Sequence, residues 1–457
     1  MKKTLVAATL ASLAFSGGIA SAQERICGTD IAIQHLIANN PQLESAYTQY
    51  EADVKQRTAA LEAQNTNAAQ KTTATYNVPV VFHVVLSQAQ IDEIGGVSGI
   101  YDRIASQIDV LNTCYTGQNY NTDKGKILTQ FQPLFGNPNI TFGIAHTDPN
   151  GGGTTGVEIK IAPATFTGFD VTDNNIKKSS GGGFTTWDTK YVNIWITHIT
   201  TASNGGQVLG YAYNPGLAQS MGDASLAGVV IDYLAFGRRS SIRQKFFGTA
   251  DKGKTLVHEL GHYFTLKHIW GDLPVGGGTC DKTQPHSDDD VADTPPQKDA
   301  NQSTCPSGVK PNCTNSPGGE MYMNYMDYVQ DACMVMFSKG QVTRMQTEFT
   351  PAGGSYQLQF NGGTLNWPTG ISAVEAKNTF DIVPNPSNGV FSINFANTTA
   401  DLRAVTVVNM MGQSVKQINT TEPANSLLID MKGMPAGVYT VNCRFDEGIV
   451  TKKIVIE

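Results

Sequence analysis

The sequence predicts a mixed α/β domain with an irregular, cysteine-stapled lower part, a helical leader in front of it and an all-β sandwich behind it. Three observations carry this. A β-branched run, NVPVVFHVVL at 77–86, precedes an amphipathic helix and further strands, which is the order of a sheet with helices packed on it. Four cysteines, Cys280, Cys305, Cys313 and Cys333, crowd into a loop-rich stretch. The last part, 374–457, consists of short alternating strands joined by glycine and proline turns.

Taken in order, residues 1–22 begin with Lys2 and Lys3, run through Leu5, Leu10, Leu13 and Phe15, and end Ala20-Ser21-Ala22. This reads as a secretory signal peptide cut before Gln23, too short for a membrane anchor. No later segment is long and apolar enough to span a bilayer. Residues 30–65 read as helical, with Ile31, Ile33, Leu36 and Ile37 followed by Leu43, Tyr47 and Tyr50. The polar tract AQNTNAAQKTTAT then buries little and reads as exposed and cleavable, placing the end of a pro-segment near residue 72. Beyond the strand at 77–86, Ile100, Ile104, Ile108 and Leu111 form a core-facing helical stripe, with Cys114 as a small buried hydrophobe at its end. NITFGIAHT, YVNIWITHI at 191–199, GGQVLGYAY at 205–213 and GVVIDYLAF at 228–236 read as strands. His83 and His146 within these strands read as structural. GGGTTG and SSGGGF read as loops, since neither carries the lysine and hydroxyl residue of a phosphate cradle.

The chemistry concentrates in HELGHYFTLKH, 258–268. On a helix His258 and His262 share one face and can offer both imidazoles to one cation, with Glu259 beside it as a general base. Zinc suits such a site, because three protein ligands leave a fourth position for a water of lowered pKa. A chance HExxH in a helix is common, so the third ligand, His268, matters. To bring it in, the chain must leave the helix, and the extended spacing with glycine at the turn is the metzincin signature; here that position is Thr265. A β-branched residue reaches left-handed angles only at a cost. The net charge of −7 and the lack of a long basic stretch argue against nucleic acid and anionic membrane surfaces.

HELGHYFTLKHIWGD, ADTPPQ, MNYMDY and DACMVMFSKGQVTRM together resemble the pappalysin family of metzincins, in its bacterial cytophagalysin-like branch. The resemblance implies a metzincin-type zinc endopeptidase with an upper mixed α/β subdomain, a lower irregular one and a cleft between them. It implies bridges Cys280–Cys313 and Cys305–Cys333, among the three pairings that the residues alone leave open. Met326 would form the methionine turn below the imidazoles, and Tyr328 would assist catalysis. Asp331 would lie at the base of the primed-side pocket and pair with a basic side chain, giving cleavage before Arg or Lys. GGQVLGYAY would be the edge strand that takes an extended peptide. In DDDVADTPPQ, Asp289 and Asp293 would be calcium ligands, and Thr294 would lie near the substrate pocket. Cys27, in ERICGTD, resembles the Cys-Gly latency motif of metzincin zymogens: its thiolate would fill zinc's fourth position until the pro-segment is cut away, with Asp30 as an accessory partner.

PNPSNG, NMMGQ, MPAGVY and the terminal KKIVIE resemble the C-terminal sorting domain of the type IX secretion system. The expected organisation is therefore signal peptide 1–22, pro-segment 23–72, catalytic domain 73–360, linker 361–373 and sorting sandwich 374–457. The expected product is a monomeric, secreted or surface-attached zinc endopeptidase made as a zymogen. It would meet protein or peptide substrates and, through its last domain, the secretion machinery. The alternative is a surface adhesin that keeps the zinc fold without activity; Glu259 argues against it, because a binding protein has no use for a base beside the metal.

Overall fold

The computed structural model describes residues 25–65, 74–200, 207–239, 244–272, 279–283, 287–302, 304–311, 313, 318–361, 380–395, 402–409, 414–419, 426–445 and 448–457. The expected signal peptide, the end of the pro-segment near residue 72 and nearly all of the expected linker lie outside these. The chain divides into two compact units, Met1–Thr364 and Leu365–Glu457.

The first unit is built on a seven-stranded sheet. Its strands are β1 (Arg25–Cys27), β2 (Tyr76–Ser87), β3 (Ile140–Ile144), β4 (Val157–Ala162), β5 (Val192–Thr197), β6 (Gln207–Tyr213) and β7 (Gly228–Asp232). The order is β1-β6-β7-β5-β2-β3, and β4 also pairs with β2, which it lines from Phe82 to Ser87 while β3 takes Tyr76 to Val80. Only β6 runs against its neighbour β7; β1 joins β6 in parallel.

β2 is buried on both faces, as its continuous apolar run implies. Val78, Val80, Phe82, Val84 and Leu86 point into one core, together with Ile100, Ile104, Ile108 and Leu111 of helix Gly96–Tyr115. Leu256, Val257 and Leu260 join the same core from a later helix, Lys254–Tyr263. The other face carries a second core of Val85, Trp195, Val208, Tyr211, Tyr213 and Val230. Helices α1 (Thr29–Asn39) and α2 (Leu43–Asn65) complete it with Ala32, Ile33, Tyr50 and Val54. The leader is thus part of the folded unit, both as an edge strand and as the lid of a core.

Helix α3 is Gly96–Tyr115, α4 is Lys254–Tyr263, and α5 is Lys339–Gln346, capped by Ser338 in a capping box with Gln341. Between α4 and α5 the chain has little regular structure, and disulfides Cys280–Cys313 and Cys305–Cys333 tie it together. Val157–Ala162, to which the sequence pattern assigns no element, is a strand that follows the loop GGGTTG. After α5, residues 356–361 form a 3₁₀ helix, and Leu358 is fully buried in the main core.

The second unit holds two antiparallel sheets. One is made of β8 (Phe380–Val383), β9 (Val390–Phe395) and β12 (Ser426–Asp430). The other is made of β10 (Leu402–Val408), β11 (Ser414–Asn419), β13 (Gly437–Phe445) and β14 (Gly448–Ile456). Phe391, Ile393, Val405, Val407, Val441 and Ile454 fill the space between them, the packing of a small β-sandwich. Among the described residues of the whole chain, no helix is long and apolar enough to cross a membrane.

Candidate metal centre

The period of α4 alone aligns two imidazoles: the Nε2 atoms of His258 and His262 lie 3.1 Å apart. Beyond the helix, His268 brings its Nε2 to 3.2 Å from that of His262. The outer nitrogens are tied to the backbone. His258 Nδ1 donates to Tyr325 O at 2.7 Å and His262 Nδ1 to Leu266 O at 2.8 Å, so each Nε2 is left as a bare acceptor. Asp30 Oδ2 lies 3.1 Å from His268 Nδ1, at ion-pair distance but off hydrogen-bond alignment.

Burial holds all three rings neutral. It pushes His258 well below its usual range, His262 to about 3 and His268 to about 4. Cys27 Sγ completes the group; its four ligand atoms all lie within 4.8 Å of one another, and all four residues are buried. Three neutral nitrogens and a sulfur facing one point fit zinc, which takes N and S donors tetrahedrally, and do not fit a cation that wants six or more oxygens.

Two local features let the rings converge. Met326 lies directly beneath α4: a Cβ on Gly261 would stand 2.4 Å from its Sδ, so only glycine fits between the two histidine turns. The helix then ends in a Schellman-type turn, with Leu266 N donating to Gly261 O and Thr265 N to His262 O, both at 2.9 Å. Thr265 takes the left-handed position at φ 75°, where glycine is usual, at a cost of roughly 1–3 kcal/mol.

Around the rings, Glu259, Tyr328 and Asp331 each meet a group of the leader. Glu259 Oε2 accepts from Cys27 Sγ at 3.3 Å and from Thr29 Oγ1 at 3.4 Å, and burial raises its carboxyl to about 8. Tyr328 Oη accepts Cys27 N–H at 3.1 Å and lies 3.1 Å from His268 Nε2. Thr29 Oγ1 also accepts Ala212 N–H of β6 at 3.0 Å. Asp331 is held by backbone at the start of α4, its Oδ2 accepting Lys252 N–H at 2.8 Å and Lys254 N–H at 3.2 Å. Its Oδ1 accepts Arg25 Nη1–H at 2.9 Å. The same guanidinium donates to Val329 O at 3.1 Å and Thr255 Oγ1 at 2.8 Å. Sequence reasoning did not find Arg25, Thr29 or Thr255. A signal was present for the first: a basic residue two before Cys27, in a chain whose pocket is expected to take one.

The family described as pregnancy-associated plasma protein-A matches residues 171–350, which span this centre. A mutant of promirolysin from Tannerella forsythia is 35% identical in sequence; the match covers 75% of this chain and 100% of that one, with a TM-score of 0.60. The chain belongs to the pappalysin family. It is a zinc metalloendopeptidase of metzincin type. Mature mirolysin from Tannerella forsythia, in complex with a cleaved peptide, is a second structural neighbour of this pappalysin, 38% identical over 65% of this chain and 100% of that one, with a TM-score of 0.54. An extracellular metalloprotease of Sordaria macrospora is 28% identical over 354 residues, 76% of this chain and 96% of its own length. Residues 381–457 match the secretion system C-terminal sorting domain, so this pappalysin is a secreted or surface protein.

The remaining sequence candidates do not join the centre. Among the described residues of this pappalysin, no second group of three or more His, Cys, Asp or Glu side chains could hold a metal. Asp289 and Asp293, the expected calcium ligands, meet protein donors in this structure. Asp289 accepts from Thr294 Oγ1 at 2.8 Å and Val291 N at 3.2 Å, while Asp293 accepts from Ser338 Oγ at 2.5 Å and Gly340 N at 2.9 Å. Thr294, expected near the substrate pocket, is buried and directs its hydroxyl to Asp289 and to Val291 O.

Burial raises the Asp289 carboxyl to about 7, so the folded chain binds that proton more tightly than the unfolded chain. The resulting stability is fully present below about pH 4, the unfolded value, and is lost as pH rises through about 7. Asp289→Asn should flatten the fall in melting temperature between these limits; an unchanged slope removes the assignment. Calcium held there would keep the carboxylate ionised, so added calcium should raise the melting temperature at pH 8 if the loop binds it, and leave it unchanged if it does not.

Proposed function

We propose that the chain is the latent form of a zinc endopeptidase that cuts before basic residues, with His258, His262 and His268 holding the metal and Cys27 as its fourth ligand in the zymogen. The observation that carries this is the strand Arg25–Cys27. It lies along the edge of the sheet with its sulfur at the three imidazoles and its arginine against Asp331. Burial, Glu259 and Asp30 all push the Cys27 thiol up, so a cation at the imidazoles is what would keep it as thiolate. The names promirolysin and mature mirolysin describe a pro-form and a processed form of that relative, and its pro-form matches a tenth more of this chain. A tenth of the chain is about the length of its leader.

Zinc bound there supplies Lewis acidity at the scissile carbonyl. Glu259, released from Cys27 and Thr29, accepts a proton from the attacking water and passes it to the leaving amine. Tyr328, released from the Cys27 amide, donates its hydroxyl to the developing oxyanion. β6 offers its open edge to an extended substrate once β1 is gone. Antiparallel pairing is the more stable per residue, and a substrate so bound runs opposite to β1. Asp331, with Thr255 and Val329 O, receives the basic side chain after the cut bond. The second unit engages the secretion machinery, and the enzyme acts as a monomer.

Three variants test this. Glu259→Ala in processed enzyme should keep its zinc by elemental analysis and lose about 10²–10⁴-fold in turnover; wild-type activity would end the assignment. Asp331→Asn should cut kcat/KM for substrates with Arg after the scissile bond by about 10–100-fold, the worth of a charge-assisted pair, with little effect on others. Mass spectrometry of peptides from a digested protein mixture reads this directly, and an unaltered cleavage pattern refutes the pocket. Cys27→Ala should raise the initial rate of the uncut chain on a short fluorogenic peptide by at least about tenfold; a chain that stays as silent as wild type would show that the thiol is not the lock.

A further inference from the structure

Thr265 is an anomaly that the catalytic reading leaves unexplained. It is a β-branched residue in the left-handed region, and its buried hydroxyl has no hydrogen-bond partner. Such a residue persists only where its surroundings over-determine it. The neighbour that does so is Arg344 of α5, fully buried, whose Nε–H donates to Thr265 O at 2.8 Å. That bond fixes the carbonyl of the strained residue itself. The turn it fixes carries His268 three residues on and presents Leu266 O to His262 Nδ1. Two of the three imidazoles therefore depend on it.

A buried guanidinium needs a carboxylate. Glu51 of α2 supplies one, its Oε2 lying 2.9 Å from Arg344 Nη2. The same oxygen lies 3.1 Å from Nζ of Lys267, the residue before His268. Asp290 and Glu348, outside the leader, are further acids whose fields favour the charged Arg344, and Lys267 also lies 3.1 Å from carboxylate oxygens of Asp272 and Asp290. The leader thus grips the turn from both sides, through Arg344 on Thr265 and directly on Lys267.

We propose that Arg344 is a positioning residue that holds the Thr265 turn, and with it His268, in ligand geometry, and that Glu51 secures this strap while the pro-segment is attached. Arg344 touches neither substrate nor metal; it acts through the backbone. The proposal rests on the three histidines being the zinc ligands.

The test is a cycle of Arg344→Met and Thr265→Gly in the full chain and in processed enzyme. Zinc affinity is read by chelator competition and ligand geometry by the visible spectrum of the cobalt-substituted protein. Arg344→Met should weaken zinc binding by about 10–100-fold, as loss of a group orienting a ligand does, and alter the cobalt spectrum. Adding Thr265→Gly, which removes both the strain and the orphaned hydroxyl, should restore affinity to within about threefold of wild type. Glu51→Gln should weaken zinc retention in the full chain, and wild-type retention there overturns the role given to Glu51. Wild-type affinity in Arg344→Met, or a double variant no better than the single one, overturns the proposal. Should Arg344→Met fail to fold, recovery of a folded, zinc-binding double variant supports it and failure to recover overturns it. A wild-type chain that holds no zinc would instead sink the metal-centre reading.

Discussion

The structure depends on three imidazole nitrogens within about 3 Å of their neighbours, two of which, on His258 and His262, carry no proton because the outer nitrogens of those rings hold it. Lone pairs crowded in this way repel, and burial denies them water, so the arrangement is unfavourable unless a cation sits among them. Its stability as an apo site is borrowed from the outer nitrogens. Two of these are spent on backbone carbonyls, Tyr325 O and Leu266 O, contributed by the methionine turn and the helix-ending turn. The floor residue, the glycine above it and the Schellman-type turn are therefore parts of one device that aims rings.

The leader belongs to this device more than a simple plug would. Ala32, Ile33, Tyr50 and Val54 lie in the core on the sheet face away from α4, and full burial of a side chain such as Val54 is worth roughly 1.5–3 kcal/mol. Along about three turns of α2 polar residues are paired as well. Tyr47 donates to Asp272 at 2.9 Å, Tyr50 to Asn214 Oδ1 at 2.6 Å, and Arg57 reaches Glu348 at 3.3 Å. The thiol then decides where the strand stops, while the helices decide that it stays. Severing the chain after α2 would not by itself clear the cleft, because these contacts do not need a covalent tether.

How much of this could be read from residues follows from the range of each contact. The histidine pair is local and shows in the spacing. The strand–helix order shows in periodicity, because β2 is buried on both faces and α3 carries one apolar stripe. β4 did not show: Glu158 and Lys160 alternate with Val157, Ile159 and Ile161 between glycine-rich flanks, on a strand that is only half buried. Chemical type pointed to Cys27 and the family resemblance to Asp331, but their link through Arg25 spans 306 residues of sequence and leaves no local trace. The acidic loop is ambiguous for a related reason. Clustered carboxylates look alike whether they face an ion or a helix start, and Asp293 faces Ser338 and Gly340 at the start of α5.

The Cys-Gly pair in the leader has a steric reason as well as a chemical one. To bring its sulfur to the imidazoles, Cys27 must shift register on the edge of β6, pairing with Gly210 where the ladder from Ile26 to Val208 would have reached Leu209. The next residue is thereby pressed onto the sheet, with its amide 2.7 Å from Gly210 O. A Cβ there would stand 2.8 Å from both Val171 Cγ2 and Val208 Cγ1, branched apolar groups packed in the second core. Any side chain at position 28 would lift the strand and draw the sulfur from the rings and the Thr29 hydroxyl from Glu259. The cysteine supplies the ligand atom, and the glycine allows that atom to arrive.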